Sequence, residues 1–133
     1  MELAVKEAGL QPKDIDYINA HGTSTHVGDI AESNAIAKMF GDKVQNPNLS
    51  VSSTKSMTGH MLGGAGAAEA IISILAMRDG IVPPTINLDN QDPEVANLDY
   101  TPHKAKEKEM NTVLSNSFGF GGHNAVLVFK KHQ

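Results

Sequence analysis

The chain has 133 residues, enough for one modest domain with a buried core. Hydrophobic residues make up 40% and charged residues 20%, the composition of an ordinary globular protein. Aromatic residues are few, at 5%, and the formal net charge is −4, so we expect no nucleic-acid partner. There are no cysteines, which excludes disulfides, thiolate metal sites and a cysteine nucleophile within this chain.

No segment has the pattern of a secretory signal or a membrane anchor. Residues 1–8 are amphipathic, and the longest apolar stretch, residues 65–77, is too short to cross a bilayer and contains Glu69 and Ser73. We therefore expect a cytoplasmic protein with no membrane partner. The lysines of residues 104–109 alternate with glutamates, which is typical of a solvated surface segment.

The first half of the chain predicts two helices and a strand. A helix over residues 1–8 has no N-cap residue, as though it had been cut from something longer. A strand over residues 15–19 follows. A second helix is predicted to begin at Asp29, which forms an N-cap and N3 pair with Glu32, and to end at Gly41.

The second half predicts three strands and one more helix. A strand over residues 49–53 precedes a helix over residues 63–79, which is apolar nearly all round and should be buried. Residues 81–102 contain four prolines and no clear period, so we expect an extended surface segment. Strands over residues 112–118 and 125–129 complete the order β-α-β-α-loop-β-β, which predicts a mixed α/β sheet with helices on its faces.

Two histidines lie in loops rich in Gly, Ser and Thr, each after a predicted strand. His21 lies within residues 19–25, and His60 ends the segment 53–60. Catalytic side chains favour such positions because the sheet fixes them while the loop exposes them. Since histidine exchanges protons readily near neutral pH, the pair indicates a site that handles a carbonyl or an oxyanion.

The other histidines lack this setting. We interpret His26, His103 and His132 as surface or packing residues, and His123 lies next to the glycine-rich turn with nothing else to mark it. The spacing of His21 and His26 and the absence of an HExxH pattern do not fit a metal site. The glycines of residues 59–66 match neither GxGxxG nor a P-loop, so we expect no bound nucleotide.

Two charged residues stand in unusual surroundings. Lys55 lies in a hydroxyl-rich loop and Glu69 in the apolar helix, and pairing would satisfy both charges and hold the His60 loop. One exposed edge of the helix would explain Glu69 equally well. The turn at residues 118–122 fits either a tight hairpin or a backbone N–H presented to an oxyanion beside a movable phenyl ring.

Taken together, five segments resemble the β-ketoacyl-[acyl-carrier-protein] synthases, the elongating condensing enzymes of fatty acid synthesis. They follow one another along nearly the whole chain: Asn19–Thr25, Ser53–His60, Gly63–Glu69, Pro83–Asn87 and Asn116–Gly122. The synthase II type is most similar, and polyketide ketosynthase domains share much of the pattern. His26 is a departure, because the family usually has proline there.

The resemblance implies a thiolase-like fold built from two similar halves. Residues 1–133 would be the C-terminal thiolase-like half-domain, a mixed five-stranded or similar β-sheet covered by helices. The N-terminal half, with the cysteine nucleophile, would be absent from this chain, so the isolated chain should be inactive. The implied partners are that N-terminal half, acyl carrier protein and, for the full-length enzyme, a second copy in a homodimer.

The resemblance also implies an acyltransferase reaction, the decarboxylative Claisen condensation of malonyl-carrier protein with an acyl-enzyme thioester. His21 and His60 would flank the malonyl thioester carbonyl, stabilise the enolate and assist condensation. Lys55, paired with Glu69, would organise the site electrostatically. No cofactor is implied, since the substrates are carried on the phosphopantetheine of acyl carrier protein.

The remaining implied residues bind substrate. Thr23 and Thr25 would hydrogen-bond to the phosphopantetheine arm. Phe118 and Gly119 belong to the same substrate-binding turn as Phe120, which would gate the acyl pocket and lend its N–H to the oxyanion hole.

Three alternatives remain open. The first is a non-catalytic subunit like the chain-length factors, although both histidines and the lysine are present here. The second is a fragment of a polyketide ketosynthase. The third is a stand-alone fragment that associates with itself through an exposed apolar face.

Overall fold

The computed structural model describes residues 1–132. Its helices and strands, in chain order, are α1 (Glu2–Glu7), β1 (Tyr17–Asn19), α2 (His26–Phe40), β2 (Ser50–Ser52), α3 (Lys55–Thr58), α4 (Ala65–Asp79), β3 (Ile81–Val82), β4 (Lys106–Glu107), β5 (Thr112–Gly119) and β6 (His123–Lys130). Short 3-10 helices cover Pro12–Asp14 and Leu62–Gly64. Among these residues, no helix combines the length and the apolar character needed to cross a bilayer.

The main sheet is mixed, as the sequence predicted, and has four strands in the order β2-β1-β5-β6. Strand β1 is parallel to both of its neighbours, so Tyr17 lies opposite Ser50 on one side and Val113 on the other. The β5–β6 pair is an antiparallel hairpin. The resemblance implied a sheet of five or a similar number of strands; the main sheet has four, and β3 pairs with β4 in a separate sheet of two strands.

The parallel strands β1, β2 and β5 end at the same edge of the sheet. Beyond that edge lie the loop after Asn19, the loop after Ser52 and the turn after Gly119. Loops at the carboxyl ends of parallel strands commonly form binding sites in α/β folds. Segments far apart in the sequence therefore meet here.

The core consists of two apolar clusters, one on each face of the sheet. Because successive strand residues point to opposite faces, Ile18 packs with Ile36 and Phe40 of α2, whereas Tyr17 packs with Met77 of α4. Helices α1 and α2 thus cover one face and α4 covers the other.

Helix α4 differs from the prediction that it is buried all round. Glu69 and Ser73 face the protein interior, while Ile71, Ile74 and Leu75 are exposed, Ile71 by 58%. The reason is that the polar side of α4 finds partners inside the protein, which leaves much of its apolar side to face away from the sheet.

The N-cap of helix α2 lies four residues earlier than predicted. Thr25, with an extended backbone (φ −98°, ψ 131°), occupies the N-cap position, and its carbonyl accepts the N–H of Asp29 at 2.9 Å. The predicted N-cap and N3 pair of Asp29 and Glu32 is therefore wrong. The segment after Val82 follows the prediction more closely, since residues 83–105 contain no helix or strand.

Candidate active site

The two loop histidines lie side by side at the shared edge of the parallel strands. The ring centroids of His21 and His60 are 5.6 Å apart and the rings are nearly perpendicular, at 85°. The ring of Phe118 lies 5.6 Å from that of His21 on another side. The histidine loops are 39 residues apart in the sequence, and the parallel pairing of β1 and β2 brings them together.

The His60 loop fixes which ring nitrogen carries the proton. Helix α3 ends at Thr58 and is followed by Gly59, whose φ of 71° is in the range that glycine adopts readily. The chain then turns so that the N–H of Leu62 donates to His60 Nδ1 at 3.0 Å. A nitrogen that accepts a hydrogen bond has no proton, so the neutral His60 ring presents its N–H at Nε2.

The His21 loop is joined directly to the second loop. The Ser53 hydroxyl donates to the Gly22 carbonyl at 2.6 Å, and Gly22 has a φ of +35°. A Cβ atom on Gly22 would lie 2.6 Å from Ser53 Cβ, so this close approach requires glycine. Ser53 thus fixes the position of one histidine loop relative to the other.

Lys55 and Glu69 form a buried ion pair behind the histidines. Lys55 Nζ donates to Glu69 Oε1, and the two side chains are only 4% and 1% exposed. The alternative that Glu69 lies on an exposed edge of its helix is therefore excluded. The pair joins α3 to α4, and so it anchors the segment that leads to His60.

A buried polar network continues behind this pair. Thr54 Oγ1 donates to Asn19 Oδ1 at 3.2 Å, and Asn19 Nδ2 donates to Ser73 Oγ at 3.4 Å. Ser73 in turn donates to the carbonyl of Glu69 at 2.7 Å. These bonds connect the end of β1, the start of α3 and the polar face of α4.

His21 is neutral at pH 7. Burial lowers its pKa to about 4, and the positive charge of Lys55 and the nearby His60 ring act in the same direction. Its Nδ1 atom is buried and has no hydrogen-bond partner among residues 1–132. A neutral imidazole still carries one N–H, so it can donate to a carbonyl or enolate oxygen.

A buried carboxylate that the sequence analysis did not assign to the site holds the His21 loop. Glu32 of α2 accepts the backbone N–H groups of His21 and Gly22, both at 2.9 Å, and the side-chain amide of Asn116 at 2.9 Å. The only sequence signal for Glu32 was its position three residues after Asp29, and that spacing is also typical of a helix N-cap pair. Ser53 and Asn116 were missed as well, although each lies within a motif quoted for the resemblance.

The glycine-rich turn after β5 forms the hairpin that was one of the two interpretations. Gly121 and Gly122 have φ values of 87° and 82°, and the side chain of Phe120 is fully exposed at the tip. Phe118 packs against His21, and Gly119 ends the strand opposite His123. The role of the Phe120 N–H as an oxyanion donor stays a prediction.

A cavity of about 700 Å³ opens beside His60, whereas His21 does not line it. Its walls include Thr23, Lys55, His60 and Thr85. The hydroxyls of Thr23 and Thr25 are 3.1 Å apart on its side of the first loop, but only Thr23 lines the cavity itself. The predicted contacts of these threonines with a phosphopantetheine arm stay predictions.

The other histidines lie at the surface, which agrees with the interpretation given for His26, His103 and His132. His26 lies between Asp92 and Glu94, with N–O distances of 3.3 Å to each, and its side chain is 66% exposed. His103 lies 3.9 Å from an aspartate, and His123 and His132 are exposed. Within the described part of the chain, no three His, Cys, Asp or Glu side chains are arranged to hold a metal ion.

Comparison with known proteins identifies the family. The family described as "Beta-ketoacyl synthase, C-terminal domain" matches residues 1–89. The chain belongs to the β-ketoacyl synthases. A 3-oxoacyl-[acyl-carrier-protein] synthase 2 of Coxiella burnetii is 56% identical over 98% of this β-ketoacyl synthase chain, and one of Staphylococcus aureus is 53% identical over all of it. Each match covers 31% of the relative, so the chain spans about a third of their length.

Solved structures of ketosynthases have the same thiolase-like fold. A β-ketoacyl synthase from Burkholderia phymatum superimposes with a TM-score of 0.93 at 44% identity, covering 100% of this chain and 31% of that one. The ishigamide ketosynthase/chain length factor gives a TM-score of 0.92 at 40% identity, with 99% and 32% covered. A type II polyketide ketosynthase solved with its acyl-carrier protein gives a TM-score of 0.92 at 38% identity, covering 99% of this chain and 32% of that one.

Proposed function

We propose that this chain is the C-terminal part of a 3-oxoacyl-[acyl-carrier-protein] synthase of the synthase II type. The reaction is the decarboxylative condensation of malonyl-carrier protein with an acyl-enzyme thioester in fatty acid elongation. The observation that supports it most is the adjacent pair of histidines at the sheet edge. The neutral His60 ring carries its N–H on Nε2, and the neutral ring of His21 lies beside it.

The chemistry requires donors aimed at the oxygen on which negative charge develops. When malonyl-carrier protein decarboxylates, the bond to the carboxylate breaks, carbon dioxide leaves, and the electron pair passes into the enolate. The N–H groups of His21 and His60 stabilise that enolate oxygen. The enolate carbon then bonds to the acyl carbonyl carbon, and the cysteine thiolate leaves.

The charged pair behind the histidines contributes indirectly. The positive charge of Lys55 helps to lower the pKa of His21. Glu69 holds that lysine in place, so the charge of Lys55 adds to burial, which is the largest cause of the low His21 pKa. We propose that Thr23, Thr25 and the Phe118–Phe120 turn bind the phosphopantetheine arm and the acyl group, with no resident cofactor.

The cysteine nucleophile and the rest of the enzyme would precede this chain. The relatives extend beyond it by about two thirds of their length. Several large apolar side chains at the surface fit a covering partner, namely Leu62, Ile71, Ile74, Leu75, Phe120 and Leu127. We propose that the N-terminal part covers this face, that the full-length enzyme is a cytoplasmic homodimer, and that acyl carrier protein delivers its substrates.

A chimera tests the proposal. This chain replaces the matching C-terminal third of the Coxiella burnetii synthase, and formation of 3-oxoacyl product is measured with acyl- and malonyl-carrier protein. We expect activity from the chimera and none from the isolated chain. In the chimera, His21→Ala and His60→Ala should each lower kcat by roughly a hundredfold. The matched control, His132→Ala at an exposed position, should not change it.

An inactive chimera that is folded and dimeric would contradict the proposed function. Product formation by the isolated chain would contradict the absence of the nucleophile. The second candidate, a non-catalytic chain-length-factor-like subunit or a polyketide fragment, is supported by the ishigamide ketosynthase/chain length factor among the similar structures. The non-catalytic subunit predicts that the histidine substitutions leave product formation unchanged.

A further inference from the structure

We propose that residues 87–94 form a lid over the cavity beside His60, and that His26 is a pH-sensitive latch that holds this lid closed. Five of the eight lid residues line the cavity, and the first residue of α2, His26, lines it as well. The lining residues of the lid are Asn87, Leu88, Asn90, Gln91 and Asp92. The lid and the start of α2 therefore border the same cavity.

The lid is anchored at its two ends and weakly held between them. Before it, the N–H of Ile86 donates to Ser56 Oγ at 3.0 Å, and after it, the N–H of Ala96 donates to Ser33 Oγ at 3.3 Å. Within the described part of the chain, the hydrogen bonds of the lid itself are local and lie within residues 92–95. Each of the eight lid residues is exposed or half-buried. A segment with so few buried contacts opens at a small cost in free energy.

Ion pairs with two histidines join the lid to the rest of the protein between these ends. His26 Nδ1 lies 3.3 Å from Asp92 Oδ2, and its Nε2 lies 3.3 Å from Glu94 Oε2. The other pair is longer, with 3.9 Å between His103 Nδ1 and Asp89 Oδ1. His26 is thus the stronger connection, because it has a carboxylate beside each nitrogen of its ring.

The two contacts of His26 require the protonated ring. A neutral imidazole has one N–H and a lone pair on its other nitrogen, so one of the two carboxylates would face a lone pair. The imidazolium donates from both nitrogens. Because histidine takes up its proton between about pH 8 and pH 5, the latch is complete at the acidic end of this range and is lost as pH rises.

The other charged groups around His26 are mainly acidic. Asp29 and Glu32, on the same helix, line the cavity, and the two lid carboxylates contact the ring. Lys55 lines the cavity too, but its charge is paired with Glu69. A positive charge is unfavourable at the N-terminal end of a helix, so the lid carboxylates are what stabilise the imidazolium. Once the ring is neutral, these carboxylates lose their counter-charge and are repelled by those of α2.

Opening of the lid changes access to the site. In the proposed enzyme the phosphopantetheine arm passes Thr23, which lines the same cavity, so this consequence rests on the proposed function. An exposed ion pair shifts an equilibrium by a factor of up to about five. With two such contacts, we expect the population of the open lid to change by roughly threefold to tenfold between pH 5.5 and pH 8.

Pulsed electron spin resonance measures the position of the lid directly. The chain has no cysteines, so two nitroxide labels can be attached through Asn90→Cys in the lid and Lys38→Cys near the end of α2, both at exposed positions. We expect a narrow distance distribution at pH 5.5 and an additional population at pH 8. His26→Gln, which is neutral at both pH values, should give the pH 8 distribution at both. His26→Arg, which is a cation at both and can donate to two carboxylates, should give the pH 5.5 distribution at both.

Two controls show whether the change belongs to the lid and to this histidine. His132→Gln is the same substitution at another exposed histidine and should keep the pH dependence. Labels at Lys13→Cys and Lys38→Cys, both outside the lid, should give the same distribution at both pH values. An Asn90–Lys38 distribution that does not change with pH overturns the inference. A pH dependence that survives His26→Gln, or a narrow distribution in that variant at pH 8, overturns the role of His26.

The chimera provides a second readout, which depends on the proposed function. Relative to the unmodified chimera, His26→Arg should lower kcat/KM for malonyl-carrier protein by roughly threefold to tenfold at pH 8 and leave it unchanged at pH 5.5. His26→Gln should raise it at pH 5.5 and leave it unchanged at pH 8. If the unmodified chimera is inactive, the proposed function fails, while the label distances still decide whether the lid opens. An active chimera without this opposite pH dependence overturns the control of access by the lid.

Discussion

Replacing Lys55 by methionine should destabilise the chain strongly. Both side chains of the Lys55–Glu69 pair are almost completely buried, at 4% and 1% exposed. Methionine preserves the apolar stem of the lysine but leaves the carboxylate of Glu69 without a cation. Removing one partner of a buried pair costs about 3–5 kcal/mol of unfolding free energy. That is a large fraction of the roughly 5–15 kcal/mol by which a domain is stable.

Thermal unfolding followed by circular dichroism measures the effect. With roughly 3–5 °C per kcal/mol for a chain of this size, Tm should fall by about 9–25 °C. The double variant Lys55→Met/Glu69→Leu removes both charges and should recover most of the loss, because a buried pair contributes little beyond an apolar pair of similar volume. A single variant that loses less than about 1 kcal/mol would refute the reasoning, since that cost is typical of an exposed pair.

The same variant should raise the pKa of His21. The charge of Lys55 is one of three causes that lower this pKa to about 4, and burial, the largest, remains after the substitution. The pKa of His21 measured by NMR should therefore rise but stay below the ordinary value of about 6.5. An unchanged pKa would show that Lys55 does not act on the histidine through its charge.

Gly22→Ala should lower the free energy of unfolding by about 2 kcal/mol, because its Cβ would lie 2.6 Å from Ser53 Cβ at a positive φ. Urea unfolding measures this loss, and a double variant Gly22→Ala/Ser53→Gly that recovers no stability would argue against the clash. His26→Pro should change the free energy of unfolding by no more than about 0.5 kcal/mol, because exposed ion pairs contribute little and the backbone of Thr25 is already extended, as a following proline requires. A loss above about 2 kcal/mol in the same assay would contradict this prediction. The depressed pKa of His21 contributes stability above pH 6.5 that is lost as pH falls toward 4, so urea unfolding at pH 7 and pH 5 should show a larger loss for the wild type than for His21→Gln.

Local patterns were sufficient to predict most elements and the two histidine loops. Alternation and turn residues identified β1, β2 and the β5–β6 hairpin, because these signals depend only on neighbours in sequence. The order of the strands was not contained in those patterns. The 5.6 Å approach of His21 to His60 follows from parallel pairing between β1 and β2, a long-range contact that no window of residues encodes.

Helix α4 shows why burial was harder to predict than helicity. Its apolar residues lie all round, so periodicity could not indicate which side faces the sheet. The deciding factor was the polar side, where Glu69 meets Lys55 and Ser73 meets Asn19. This helix buries Glu69 and exposes Ile71 and Ile74, which is understandable only once the partners of both sides are known.

Glu32 illustrates a different difficulty, in which one local pattern has two physical meanings. An acidic residue three positions after an aspartate is typical of a helix N-terminus, and here the helix does begin close by, at His26. Yet the carboxylate bonds to the N–H groups of His21 and Gly22, outside the helix altogether. Capping and loop clamping both satisfy unpaired backbone donors beside a helix start. Which donors are unpaired depends on where β1 leaves the sheet, so the role of Glu32 follows from the topology that also brings the histidines together.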